Sequence, residues 1–135
     1  MPIAKRLWVG LAFGLFLSPL GCGSKLASVT GQVVFPDKTP LTSGTVVFNP
    51  VDENPYGAQG QIQPDGTFRL GAARPGEGAY PGKYQVHVEP YEDAAGKMVD
   101  PRFENARTSG LEYTVVPGSN DFTITIQKAN KKKRG

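Results

Sequence analysis

The chain has 135 residues with 17 glycines, 12 prolines, one cysteine and one histidine, and a formal net charge of +3. A lone cysteine forbids an intramolecular disulfide framework, and with one histidine the chain cannot supply the three or four ligands of the common zinc sites. The positive balance belongs to the ends: residues 22–127 hold eight Lys/Arg against twelve Asp/Glu, while Lys5, Arg6, Lys128, Lys131, Lys132, Lys133 and Arg134 flank them.

Residues 1–21 have the layout of a secretory signal. Lys5-Arg6 are followed by eleven uncharged residues, Leu7 to Leu17, and by Ser18-Pro19-Leu20-Gly21 before Cys22. A membrane-crossing helix needs about twenty apolar residues, so this run is too short to remain as a span. Gly21-Cys22 resembles the bacterial lipobox, in which the cysteine thiol receives a diacylglyceryl group before cleavage on its N-terminal side. The position three before the cysteine, usually Leu, is Pro19. The resemblance implies lipid attachment at Cys22 and a flexible tether over 22–28. Each buried methylene contributes about 0.8 kcal/mol, and two or more chains hold a protein stably where one does not. The expected location is the cell membrane or outer membrane, with the domain facing periplasm or exterior. Gly23, where some bacteria use Asp to retain lipoproteins at the inner membrane, favours the outer membrane.

From residue 29 the pattern becomes that of strands. Val29, Gly31, Val33 and Phe35 alternate with Thr30, Gln32 and Val34, and Pro36 to Pro40 turn the chain toward Val46 and Phe48. Period two means one buried face per strand. Ile62, Phe68 and Leu70 flank Pro64-Asp65-Gly66, whose proline sets φ and whose glycine tolerates positive φ, as a tight hairpin requires. Tyr84, Val86 and Val88 share a face opposite Gln85, His87 and Glu89. Leu111, Tyr113 and Val115, then Phe122, Ile124 and Ile126, alternate on either side of Pro117-Gly118-Ser119-Asn120. About seven short antiparallel strands with no convincing helical period predict an all-β sandwich over 29–127.

These residues resemble the carboxypeptidase regulatory-like, transthyretin-related (prealbumin-like) sandwich of small bacterial envelope lipoproteins, especially those of planctomycetes. The resemblance rests on Val29-Thr30-Gly31-Gln32-Val33, Gly44 to Pro50, Pro64 to Phe68, Gly82 to Val88, Ser109-Gly110-Leu111, and Val116 to Phe122. It implies an accessory module without catalysis. It also implies that Phe103, in the Pro-aromatic stretch of the long segment Glu89 to Gly110, anchors that segment along the sandwich. A partner surface is expected there first.

The chemistry-bearing residues form no catalytic set. His87 faces away from the core strand face, and Ser43, Ser109 and Ser119 read as loop or turn residues, so a Ser-His-Asp unit is not expected. The related hydroxyisourate hydrolases use several histidines and end in Tyr-Arg-Gly-Ser, whereas this chain ends in Lys-Lys-Lys-Arg-Gly. Asp52-Glu53-Asn54, and Glu92-Asp93 with Asp100, offer oxygen ligands for calcium but not the spacing of a calcium loop. Tyr56, Tyr80 and Tyr91 are loop aromatics able to stack on sugars. Residues 128–135 read as a basic disordered tail able to meet an anionic polymer; export argues against nucleic acid. The expected function is that of a non-catalytic, lipid-anchored structural or protein-interaction module with no cofactor or metal. The alternative is an envelope module binding a glycan or calcium through Tyr56, Tyr91 and the acidic loops.

Overall fold

The computed structural model describes residues 26–52 and 55–130. Cys22, the expected signal peptide, most of the tether and residues 131–135 of the tail lie outside the described residues. Within them, the alternation becomes seven strands: β1 (Ser28–Val34), β2 (Thr45–Pro50), β3 (Ala58–Gln61), β4 (Thr67–Arg69), β5 (Gly82–Glu89), β6 (Leu111–Val115) and β7 (Ser119–Thr125). They form a three-stranded sheet, β4-β1-β7, and a four-stranded sheet, β3-β2-β5-β6. Together the two sheets make a β-sandwich.

The apolar member of each alternating pair faces the space between the sheets. Val29 and Val33 of β1, Val46 and Phe48 of β2, Tyr84, Val86 and Val88 of β5, and Ile124 of β7 are buried in one cluster. Phe48 is its hub, with ring centroids 5.7 Å from Tyr84, 6.2 Å from Tyr113, 6.1 Å from Phe122 and 6.4 Å from Phe68. Aromatic pairs at such separations add to the burial of their area. The Tyr84 hydroxyl, carried into this core, donates to the Tyr80 carbonyl at 2.6 Å.

Two features differ from the expected all-antiparallel arrangement. β1 and β7 run parallel, in register from Ser28↔Ser119 to Val34↔Thr125. Alternation reports which face of a strand is buried and is blind to its direction, and strands from opposite ends of a domain have no tight turn to force them antiparallel. The second difference lies at Pro64-Asp65-Gly66. The turn forms: Gly66 has φ +85, its N–H donates to the Gln63 carbonyl at 2.7 Å, and Asp65 accepts from the Thr67 hydroxyl and N–H. Its arms, however, pass into different sheets, β3 into one and β4 into the other. At this corner the backbones nearly touch. A Cβ at position 60 would sit 2.5 Å from the Arg69 carbonyl oxygen, so only glycine fits.

Residues 90–110 are folded into short helical turns. Single 3-10 turns cover Gly96–Met98 and Pro101–Glu104, and α1 spans Ala106–Ser109. The Asp100 carboxylate accepts from Arg102 N–H and the Asn105 side-chain oxygen, Oδ1, from Arg107 N–H, capping the last two. Phe103 is buried in the main core with Arg102 stacked over its ring at 4.6 Å, which is the anchoring expected of it. Ser109 is not a surface turn residue: it is buried, and its hydroxyl donates to the Val86 carbonyl just beyond the last β5–β6 pair.

The ordered chain also continues past β7. Lys128 bridges Val99, lies 3.5 Å from the Asp37 carboxylate and sits over the Phe35 ring, and Ala129 donates to the Met98 carbonyl. Thus the first residues of the segment expected to be a free tail are attached to the domain by backbone pairing.

Candidate functional site

Strand alternation places one polar set on the outer face of the four-stranded sheet: Thr45, Val47 and Asn49 of β2, Gln59 and Gln61 of β3, and Gln85, His87 and Glu89 of β5. The register aligns Gln61 and Glu89 with Thr45, Gln59 and His87 with Val47, and Gln85 with Asn49. This face divides into a closed hydrogen-bonded half and an open half.

The closed half centres on His87. The Asn49 side-chain amide donates to the Gln85 carbonyl at 3.2 Å and to His87 Nδ1 at 2.9 Å. Because that amide nitrogen is a donor, the neutral ring carries its proton on Nε2, which donates to Glu89 Oε2 at 3.1 Å. Both ring nitrogens are therefore occupied, and the side chain is only 14% exposed. No serine approaches it in these contacts: Ser109 bonds to Val86, Ser43 donates to Asp93 Oδ2 at 2.8 Å, and Ser119 opens β7.

The open half is a groove of about 540 Å³ over β2 and β3. Its floor carries Asn49, Gln59 and Gln61, and its far wall is the loop Gly71–Pro75. That loop is held against β3 by reciprocal backbone bonds between Gln59 and Gly71, at 3.0 and 2.9 Å. The Glu77 carboxylate fixes its crest by accepting from the N–H groups of Ala73 and Arg74, which hold that carboxyl below the usual range. Tyr91 closes one end, its hydroxyl accepting from the Gln61 amide at 3.3 Å. Arg69 and Arg74 both line the groove, and no Asp or Glu does. Among the described residues, neither guanidinium has a carboxylate within ion-pair distance.

The other residues singled out from sequence are dispersed. Tyr56 packs on Tyr80 with centroids 5.4 Å apart and does not line the groove with Tyr91. Asp93 accepts from Gly96 N–H and the Ser43 hydroxyl, which lower its pKa in that order, so this carboxylate closes a loop. Asp52 accepts from Lys83 N–H, while Glu53 and Asn54 lie outside the described residues. Among the described residues no group of three or more His, Cys, Asp or Glu could hold a metal ion, and no helix is long and apolar enough to cross a membrane. Sequence reading did not single out Arg69, Arg74, Gln59 or Gln61. The usable signal was polar alternation: Gln59 and Gln61 flank Gly60, and Arg69 lies between buried Phe68 and Leu70.

No family model matches the chain, and a search of the curated proteins finds no match. Among solved structures, the chain is similar to a DUF3823 family protein from Parabacteroides merdae, at 15% identity and a TM-score of 0.45, covering 78% of this chain and 48% of that one. It is also similar to a 9R-lipoxygenase from Cyanothece, at 15% identity and a TM-score of 0.39, covering 85% of this chain and 19% of that one. The chain thus spans about half the length of the first protein and under a fifth of the second.

Proposed function

We propose that this protein is a non-catalytic cell-envelope lipoprotein, a carboxypeptidase regulatory-like, prealbumin-like sandwich tethered by acylated Cys22 and serving as a structural or protein-interaction module. The observation that carries the non-catalytic part is the commitment of the candidate reactive groups. Both nitrogens of His87 are engaged by Asn49 and Glu89, and the Ser109 hydroxyl is spent on the Val86 carbonyl. A general base must reach the proton it removes, and this imidazole is occupied on both sides. The family reading is supported by where its motifs fall. Gly44 to Pro50 leads into β2, Pro64 to Phe68 forms the corner, Gly82 to Val88 lies on β5, and Val116 to Phe122 crosses from β6 to β7. Calcium loses ground as the alternative, because Asp93 and Asp100 cap local turns.

The test is intact-mass measurement of the native protein with detergent-phase partitioning of the Cys22→Ser variant. The expected result is a mature chain beginning at an acylated Cys22, and a variant lost from the detergent phase or left unprocessed. An unmodified cysteine, or unchanged partitioning of the variant, would overturn the anchor.

A further inference from the structure

The groove over β2 and β3 has a chemistry that the module reading does not by itself require. We infer that it is a binding site for an acidic saccharide chain, one bearing uronate-type carboxylates. This rests on the reading of the domain as a non-catalytic module, but not on the lipid anchor.

Charge complementarity selects the anion. Residues 22–127 carry more Asp and Glu than Lys and Arg, yet this groove is lined by two arginines and no carboxylate. The contrast is local: a neighbouring groove that also reaches Arg69 includes Asp121, and a third, beside Lys97, includes Asp100 and Glu104. Planar guanidinium groups suit carboxylates through paired N–H donors. Glu77, two residues beyond the loop, directs its carboxylate at the backbone N–H groups of Arg74 and Ala73; its charge also interacts with that of Arg74, but no ion pair forms with the guanidinium. Glu89, one strand away beside Thr45, does not line the groove and accepts a hydrogen bond from His87.

The floor selects a sugar over an acidic peptide. A protein interface is expected to have an apolar centre, whereas this floor presents Asn49, Gln59 and Gln61 beside Val47, and Ala72, Ala73 and Pro75 stand in the wall. The Gln59 amide can pair with hydroxyl groups as both donor and acceptor, whereas Asn49, whose two N–H donors are held by Gln85 and His87, offers its side-chain oxygen as an acceptor. Tyr91, 46% exposed at the groove end, supplies an aromatic ring against which a pyranose can pack. β3 and its wall are tied together by backbone bonds, so the site is preformed, which reduces the ordering cost of binding.

Trigalacturonate titrated into the detergent-purified full chain tests this, with maltotriose and a triglutamate peptide as comparison ligands. The expected order is trigalacturonate well above both, with affinity falling as NaCl rises. Arg69→Gln and Arg74→Gln should each weaken trigalacturonate by about tenfold, the loss of one charged hydrogen-bonding partner. Both side chains are exposed, so each variant should melt as the parent does. A chain with Lys131, Lys132 and Lys133 all changed to Gln should keep its affinity. No trigalacturonate binding, equal binding of triglutamate, or a loss that follows the tail lysines and not the arginines would each overturn the proposal. The Cys22→Ser protein should bind equally well, so failure of the anchor and failure of the groove are separable.

Discussion

The two long sides of the sandwich are closed by different means. On the β3/β4 side the sheets are joined through main chain: Gly60 lies against the Arg69 carbonyl, and the Gly71–Pro75 loop is bonded back onto β3. On the β6/β7 side they are joined through side chains. Tyr113 and Phe122 meet at 4.9 Å, and Asn120 accepts from Val116 N–H while donating to the Val116 and Ser28 carbonyls. Backbone closure leaves outward side chains free for other uses, and the groove is built there. Side-chain closure is made by inward-facing groups at the edge of the core, and burial there raises the pKa of half-buried Tyr113.

The largest test of this contrast is Gly60→Val. A Cβ there meets a carbonyl oxygen that cannot rotate away, so a loss of about 3 kcal/mol is expected in urea denaturation, near the upper range for overpacking. Phe122→Ala on the opposite side should cost about 2 kcal/mol, below the usual range for a fully buried phenylalanine because this ring is half-buried. Asn120→Ala should cost about 1.5 kcal/mol, since it strips partners from three backbone groups at a buried position. If Phe122→Ala proved costlier than Gly60→Val, the assignment of main-chain closure to the β3/β4 side would be wrong.

Acid should separate the two sides with a smaller effect. Asp65 and Glu77, both on the β3/β4 side, have lowered pKa values, the first through the Thr67 hydroxyl and N–H, the second through the Arg74 and Ala73 N–H groups. A carboxyl whose folded pKa is depressed contributes stability above its unfolded pKa and loses it as pH falls through the folded value. Hydrogen exchange below the ordinary carboxylate range should therefore rise over residues 63–78 before residues 113–122, which are held by neutral groups. Uniform loosening of both sides would refute the difference. The smallest effect is expected from Glu77→Gln, which should speed exchange at the Ala73 and Arg74 amides and lower the melting temperature only slightly.

How far sequence could reach follows from what each signal reports. Alternation disclosed the buried faces of β1, β2, β5 and β7, and Pro64-Asp65-Gly66 disclosed a turn, because both are local properties. The parallel β1–β7 pair and the division of β3 and β4 between sheets were not legible, since neither direction nor sheet membership changes which residues alternate. Phe103 was placed correctly by resemblance, whereas Ser109 was not, because its partner, the Val86 carbonyl, is backbone and carries no sequence mark. The groove was hidden for a similar reason: Asn49, Gln59, Arg69, Arg74 and Tyr91 come from three strands and two loops and meet only after the corner folds.

The parallel pairing of β1 and β7 also sets the polarity of the domain. The two strands start together at Ser28 and Ser119 and end together at Val34 and Thr125, about 20 Å away at the usual rise per residue. A domain tethered just ahead of β1 has its near pole at the Ser28 end. Lys128, beside Asp37 and Phe35, lies at the opposite pole. The cationic C-terminal segment therefore starts on the side facing away from the tether.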